Sequence, residues 1–256
     1  MRARTSTPPG ATILGTKRVI DVHPPLGLDV RCEERERALR ALHEEMRACQ
    51  RCVHGGYLSH AESVAGYRGR IGDRILLVGQ APGHLSIERG RPFSGPGGSL
   101  LDGWLQRAGF PVGSLWSYVY ISALTRCDPG KNPRGGGDRK PSPPELALCR
   151  PYLLRELELV CPEVILPVGG MAIEAFLGPI RLDAVIGTAV ERSGVLLIPL
   201  PHPSGVSRWL NDPAHQGLLS KALVLLAAWR AARWDPMTEQ ASLSDEKGAM
   251  HDGNEH

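Results

Sequence analysis

The chain has 256 residues, of which 42% are hydrophobic and 22% are charged, and it carries a formal net charge of +3 at pH 7. These values are ordinary for a globular protein and exclude the collagen-like and wholly disordered classes. No apolar run reaches the ~18 residues that a membrane helix needs, and the N-terminus lacks the apolar core of a signal peptide. Without a secretion signal, the six cysteines indicate metal ligands or core thiols rather than disulfides.

Composition divides the chain into three regions. Residues 1–30 are rich in proline, glycine and threonine, and we expect a disordered N-terminal arm there. Residues 236–256 are acidic and polar and predict a disordered tail. Residues 31–235 predict a single, mildly basic domain, and this charge is compatible with a nucleic-acid partner without being evidence for one.

Apolar strands and amphipathic helices alternate within this domain. Helices are predicted at residues 33–51, 98–109, 143–160, 171–177 and 216–233. Strands are predicted at residues 74–79, 119–124, 164–168 and 196–200, with residues 187–192 as a candidate edge strand. The alternation predicts an α/β fold of three layers, α/β/α, around a central, mostly parallel four-stranded sheet.

The carboxyl ends of the predicted strands are the expected position of a functional site, since ligands of open α/β sheets bind there. Three loops leave these ends, at residues 79–98, 125–143 and 201–211. In the first loop, the glycines and proline around Gln80 bring backbone N–H groups close to a ligand. The loop contains neither a Walker Gly-Lys-Ser/Thr nor a GxGxxG pattern, which disfavours nucleotide binding.

Four of the cysteines form a pattern typical of a metal site. Cys49 and Cys52 form a C-x2-C pair, and Cys127 and Cys149 flank the second loop. Four thiolates can hold either a 4Fe–4S cluster or a zinc ion, and the spacing does not separate the two.

Three motifs follow one another along the loops. The first motif has two parts, GQAPG at residues 79–83 and GRPFSG at residues 90–95. The second is YISALTRCDPG at residues 120–130, and the third is PHPSG at residues 201–205. With the cysteines, they resemble the uracil-DNA glycosylase superfamily, most closely its iron–sulfur branches, families 4 and 5, and the resemblance covers roughly residues 49–232. It implies a monofunctional DNA repair glycosylase that hydrolyses the N-glycosidic bond of uracil or related deaminated bases and leaves an abasic site.

The resemblance implies catalytic roles for residues of the first and third loops. His202 would face the base oxygen that gains negative charge as the bond breaks, where a hydrogen-bond donor stabilises the leaving base. Gln80 and His84 belong to the loop that would surround the sugar and the attacking water. Family 4 has Glu at the position of Gln80. Because the amide of Gln80 cannot act as a base, His84 and Glu88 are the candidate general bases.

Base recognition would fall on Phe93, which would stack on the extruded base, and on Ala81 and Ala123. Family 4 has an Asn that reads the uracil edge at the position of Ala123, and the highly active branch has a water-activating Asp at the position of Ala81. The loop between Cys127 and Cys149 is also longer than in the family. These departures predict slow turnover and a pocket that accepts several deaminated bases.

The resemblance further implies a cofactor and a partner. The four cysteines of the pattern would bind a 4Fe–4S cluster, with zinc as the alternative occupant: Cys49, Cys52, Cys127 and Cys149. The partner would be single- or double-stranded DNA with a damaged base, bound by a monomer in the cytoplasm of a prokaryotic cell.

Contacts to the DNA backbone are expected from polar and basic residues near the first and third loops, with Val206 or Trp209 as a wedge in the base stack. The residues expected to contact phosphates are Ser204, Ser207, Arg208 and Arg91. A second backbone-binding surface is expected from the basic residues around the second loop, Arg126, Lys131, Arg134, Arg139 and Lys140.

Two other functions are compatible with the residues. A non-catalytic iron–sulfur or zinc DNA-binding module is favoured by Gln80, Ala81 and Ala123, which lack the groups that activate water and read uracil. A generic metal- or nucleotide-dependent α/β enzyme is supported by the fold class alone.

Overall fold

The computed structural model of the chain describes residues 19–22, 32–64, 71–135, 137–203 and 208–233. The strands are β1 (Ile75–Gly79), β2 (Val119–Ala123), β3 (Val164–Pro167), β4 (Val190–Arg192) and β5 (Val195–Leu197). The helices are α1 (Cys32–Arg47), α2 (Arg51–His54), α3 (His84–Glu88), α4 (Pro96–Arg107), α5 (Ser114–Ser117), α6 (Pro143–Val160), α7 (Gly170–Leu177), α8 (Leu182–Val185) and α9 (Pro213–Arg233). A 3-10 turn at Arg208–Asn211 precedes α9.

The five described strands form one sheet in the order β2-β1-β3-β5-β4. Neighbours are parallel except for β4, which pairs antiparallel with β5. The predicted mostly parallel α/β architecture is confirmed, with five strands rather than four because the candidate edge strand joins the sheet. Its turn to β5 has positive φ at both Ser193 (48°) and Gly194 (78°), the geometry of a tight two-residue hairpin loop.

The central strand β1 is buried on both faces and separates two hydrophobic cores. Ile75 and Leu77 belong to a core formed with α4 and α9, whereas Leu76 and Val78 belong to a core formed with α1 and α6. All five residues of β1 are buried. A strand covered on both sides has no polar face, which explains why its sequence is a continuous apolar run.

The ends of α6 agree with the prediction from the sequence, whereas the helix predicted at residues 33–51 does not have its predicted ends. α6 has the predicted bounds, because Ser142 and Glu145 form a reciprocal capping box in front of it. The helix predicted at residues 33–51 is interrupted: α1 ends at Arg47, and α2 begins at Arg51. Cys49 therefore lies between the two helices, and Cys52 lies in the first turn of α2.

Part of the predicted N-terminal arm is packed against the domain. Ile20 N donates a hydrogen bond to Ala175 O of α7 (2.8 Å), and the side chains of Ile20 and Val22 are buried in the α1–α6 core. The other residues of the arm and the acidic tail at 236–256 lie outside the described residues, so their disorder stays a prediction. Among the described residues, no helix is long and apolar enough to cross a membrane.

Candidate active site

A cavity of about 520 Å³ lies beyond the carboxyl ends of the parallel strands. β1 and β2 end in register, with Gly79 opposite Ala123. Thr125 N donates to Gln80 O (3.2 Å), which continues the pairing into the first and second loops. Of the six residues predicted to be catalytic or to bind the base, five line the cavity: Ala81, His84, Phe93, Ala123 and His202.

Phe93 is held in the cavity wall by a backbone conformation that side chains rarely adopt. Its φ is 55°, and its ring lies so close to Gly79 that a Cβ there would be 3.2 Å from the Phe93 Cζ. A Cβ on Gly98, in the first turn of α4, would stand 1.7 Å from the Phe93 carbonyl oxygen. The two glycines thus make room for Phe93, and left-handed backbone at a non-glycine residue is typical of functional sites.

His202 leaves the sheet directly into the cavity wall. Its ring packs over Gly169, where a Cβ would lie 3.1 Å from the His202 Cδ2. Although the side chain is open to the cavity, the surrounding protein desolvates the ring and lowers its pKa below the ordinary value, an effect that the charge of Asp138 partly opposes. The neutral imidazole can donate one hydrogen bond into the cavity.

Gln80 and His84 occupy different surroundings although both belong to the first loop. Gln80 Nε2 lies 3.5 Å from Arg139 O of the second loop, and the residue is not among those lining the cavity. The His84 side chain is 67% exposed, with Nδ1 3.9 Å from Asp128 Oδ2, and it lies between the cavity and a second depression of about 490 Å³. Glu88 is exposed at the end of α3.

A buried network of hydrogen bonds lies under the end of β2. Glu156, on α6, accepts hydrogen bonds from Tyr120 Oη (2.9 Å) and Ser122 Oγ (2.6 Å) and also pairs with Arg126. The Tyr120 hydroxyl is hydrogen-bonded to His43 Nε2 of α1 (2.7 Å). The network therefore links both helices of one layer to the floor of the cavity, where Ser122, Arg126 and Glu156 are lining residues.

Arg126 was assigned from the sequence to a DNA-binding surface, and that prediction was wrong. The residue is only 5% exposed, and its guanidinium bonds the Glu156 carboxylate and the Ala123 carbonyl oxygen. The side chain turns under the end of β2, because the buried Glu156 carboxylate needs a cation to compensate its desolvation.

The second loop carries a short β-hairpin over the cavity, whereas the sequence predicted only a longer loop whose basic residues bind the DNA backbone. Lys131 and Asp138 face each other across it, and two backbone hydrogen bonds of 2.9 Å flank this pair. Lys131 Nζ lies 2.7 Å from Asp138 Oδ1, and both residues line the cavity. A Cβ at Gly83 would be 2.9 Å from Asp138 Oδ2, so the carboxylate reaches the first loop. An acid after a run of glycines was the one sequence signal for this residue.

The cysteines of the C-x2-C…C…C pattern approach one another from three segments of the chain. Cys52, Cys127 and Cys149 are buried, and Cys49 is partly buried. Burial and the charges of the other cysteines raise the pKa of Cys127 to about 12 and that of Cys52 to about 11. Deprotonating these thiols beside one another is therefore unfavourable, and a bound cation would relieve the repulsion between the thiolates. In the part of the chain that the structure describes, no group of three or more His, Cys, Asp or Glu residues is arranged to hold a metal ion.

The residues expected to bind DNA are described in part. Ser204, Ser207 and Val206 lie outside the described residues. Arg208 is exposed at the start of the 3-10 turn, and Arg91 lies over the ring of Trp116, 4.6 Å from its centroid. The ring of Trp209, a candidate wedge, is stacked on His215 at 4.0 Å.

Comparison with known proteins gives a consistent set of relatives. A sequence model described as the uracil DNA glycosylase superfamily matches residues 67–227. The type-4 uracil-DNA glycosylase of Thermotoga maritima is 31% identical over 177 residues, which are 68% of this chain and 85% of the relative. The type-4 enzyme of Pyrobaculum aerophilum is 32% identical over 73% of this chain and 92% of its own. That of Archaeoglobus fulgidus is 31% identical over 63% and 79%. The matched region contains the sheet and all three loops of the cavity.

Proposed function

Because the chain belongs to the uracil DNA glycosylase superfamily, we propose that it is a monofunctional DNA repair glycosylase. It hydrolyses the N-glycosidic bond of uracil or related deaminated bases in DNA and leaves an abasic site. The observation that carries this proposal is the cavity at the carboxyl edge of the sheet, lined by both Phe93 and His202. Its volume of about 520 Å³ suits a single base with part of its sugar.

The side chains of this cavity can perform the main tasks of base excision. The target base must leave the duplex, which costs a few kcal/mol and is least costly in mismatches or single strands. Phe93 stacks on the extruded base and offsets part of that cost. As the bond breaks, negative charge develops on the base, and the neutral His202 donates a hydrogen bond to the base oxygen that carries it.

The attacking water approaches on the sugar side, beside the first loop. His84 orders this water, and Ala81 leaves space for it, whereas Gln80, which does not line the cavity, holds the first loop to the second through Arg139 O. Gln80 is a neutral amide and cannot take a proton from the water. The positive charge that develops on the sugar makes a weak base sufficient, and we expect slow turnover.

The four cysteines fit a 4Fe–4S cluster, since the donor set is all sulfur and mostly buried, with zinc as the alternative occupant. Cys49, Cys52, Cys127 and Cys149 would hold the cluster. When bound, it supplies positive charge that stabilises the thiolates and joins α2, α6 and the second loop. Cys127 directly follows Arg126 of the cavity floor, so this joint also fixes the floor.

DNA approaches the cavity as the partner of a monomeric enzyme. The residues proposed to bind phosphates, and so to position the target nucleotide without reading sequence, are Arg91, Arg208, Ser204 and Ser207. An enzyme that repairs a prokaryotic chromosome works in the cytoplasm, where the chromosome lies.

Cleavage of labelled oligonucleotides separates this function from a non-catalytic DNA-binding module. Purified protein is incubated with single-stranded and U:G duplex substrates, followed by alkali, which breaks the strand at abasic sites. We expect cleavage at uracil. Binding without cleavage, with the metal content intact, would leave the DNA-binding module as the function.

Ala123 is proposed to make the pocket permissive. An asparagine amide can bond both the N3–H and O4 of uracil, and an alanine methyl can bond neither, so discrimination by hydrogen bonding is lost. We expect the protein to cut hypoxanthine- and xanthine-containing substrates as well as uracil, and Ala123→Asn to shift the preference towards uracil. The measurement is a panel of single-turnover rates on the three bases. Strict uracil selectivity of the wild-type protein would assign base reading to another residue.

A further inference from the structure

The cavity contains a carboxylate that the family resemblance does not account for. Two of its described lining residues are acidic, Glu156 and Asp138. Both oxygens of Glu156 are engaged by Tyr120 and Ser122, and its charge is balanced by Arg126. Asp138 pairs with Lys131 through Oδ1, and no hydrogen bond from another described residue reaches Oδ2. Of the two acids, Asp138 is the one with an oxygen available to a ligand.

The position of Asp138 is fixed by the structure around the hairpin rather than left to a free loop. The next residue, Arg139, makes two hydrogen bonds of 2.7 Å to the Glu145 carboxylate of α6 and a third of 3.2 Å to Tyr57 O. Glu145 is itself bonded by Ser142, and these partners lower its pKa to about 2. The Arg139 carbonyl lies 3.5 Å from Gln80 Nε2, which ties the hairpin to the first loop.

Asp138 Oδ2 lies on the side of the cavity that the first loop forms. It lies against Gly83, whose Cβ would be 2.9 Å away, within the loop proposed to surround the sugar. The charge of Asp138 also acts on His202 across the cavity. His202 and Asp138 therefore present a donor and an acceptor to one ligand, the first suited to a base that gains negative charge and the second to a sugar that gains positive charge.

We propose that Asp138 is a catalytic residue, supplying the carboxylate that Gln80 and Ala81 lack. This inference rests on the proposed glycosylase function and names a further residue of its site. The bond between C1′ and the base nitrogen breaks, and its electron pair goes to the base. The oxygen of a water molecule bonds to C1′, and one of that water's protons passes to Asp138 Oδ2. Solvent then protonates the base nitrogen and removes the proton from Asp138.

The test compares Asp138→Asn, which keeps the size of the side chain and removes its charge, with the matched control Asp183→Asn. Asp183 pairs with Arg181 on the surface (2.5 Å) and lines neither cavity. Single-turnover cleavage of a uracil-containing oligonucleotide is measured with saturating protein, together with the Kd for the same DNA. We expect Asp138→Asn to cleave on the order of 100-fold more slowly, the scale of a lost general base, and Asp183→Asn to cleave at the wild-type rate.

Two further readouts separate catalysis from a structural role of the hairpin. Asp138→Asn should keep the wild-type iron content, thermal midpoint and Kd, so that only the cleavage rate falls. Asp138→Glu should recover part of the rate. A wild-type rate in Asp138→Asn overturns the role of Asp138 and leaves the glycosylase function standing. A wild-type protein that cleaves no base in the panel overturns both.

Discussion

The protein favours the neutral form of two histidines, the buried His43 and the half-enclosed His202, and the consequences differ. His43 Nε2 donates to the Tyr120 hydroxyl, which itself donates to Glu156, and lies buried beside the α1–α6 core, whereas His202 faces the cavity. Desolvation is the main cause of the lowered pKa in both cases, since burial penalises the protonated ring. For His202 the proposed role of the neutral ring is to donate a hydrogen bond to the leaving base, and for His43 the neutral state should make stability depend on pH.

His202→Ala should lower single-turnover cleavage by roughly 100- to 1000-fold, the effect of losing one donor at the site of developing charge. DNA affinity should change little, because phosphate contacts dominate binding. The measurement is the cleavage rate under saturating protein, with Kd measured in parallel. His84→Ala tests the water side: a comparable loss of rate would show that His84 acts on the attacking water in addition to Asp138. Near-normal cleavage by His202→Ala, with the metal retained, would remove His202 from the mechanism.

His43 should make the protein less stable in mild acid. Burial, Arg47 and Arg126 lower its pKa to about 4 from 6.5, so the unfolded chain takes up a proton that the folded chain resists. The free energy of unfolding should therefore be unaffected above pH 6.5 and fall as the pH drops towards 4, by about 2 kcal/mol at pH 5. Urea unfolding at pH 7 and pH 5 measures this loss. His43→Gln should lose less between the two pH values, and the exposed His60→Gln should behave as wild type.

At the scale of elements, α4 supports the cavity through Gly98 in its first turn. Gly98 approaches the Phe93 carbonyl so closely that no side chain fits between them, whereas nothing lies within 4 Å of a Cβ at Gly103 of the same helix. The two glycines are therefore a matched pair, one required by packing and one not.

Gly98→Ala should destabilise the protein by about 1–3 kcal/mol or more, the cost of forcing a methyl group into a packed site, and should slow cleavage because Phe93 is displaced. Gly103→Ala should be neutral or should stabilise by up to about 1 kcal/mol, since alanine favours a helix interior. Urea unfolding and single-turnover rates check both. Equal effects of the two substitutions would contradict the contact between Gly98 and Phe93.

At the scale of the whole molecule, the cysteine site joins segments that are distant in sequence. Cys49 and Cys52 come from the region of α1 and α2, Cys127 from the end of β2, and Cys149 from α6. A group bound by all four connects the outer helical layer to the cavity floor, so its loss should be felt in stability as well as in activity.

The purified protein should be brown and contain four irons per chain. Cys149→Ala should lose the iron and much of its stability, whereas Cys32→Ala, at an exposed residue at the start of α1, should lose neither. Metal analysis and visible absorbance of anaerobically prepared protein check this prediction. Zinc in place of iron, or no metal in the wild-type protein, would contradict it.

The sequence alone determined the elements whose signals are local. The apolar run of β1 and the capping residues of α6 placed those elements, because backbone periodicity and capping depend on neighbours a few residues away. Loop motifs likewise placed Phe93 and His202 near one cavity, since the carboxyl ends of parallel strands meet at one edge of the sheet.

Tertiary structure alone decided the surroundings of Arg126, Asp138 and Gln80. Arg126 is a basic residue in a basic loop, and only its contact with Glu156, 30 residues away in sequence, makes it part of the floor. Asp138 reaches the cavity, and Gln80 contacts the residue after the hairpin, through contacts between separate loops. Such contacts depend on how three distant segments pack. Whether a side chain is buried, and which group pairs with its charge, follows from that packing rather than from its neighbours in the chain.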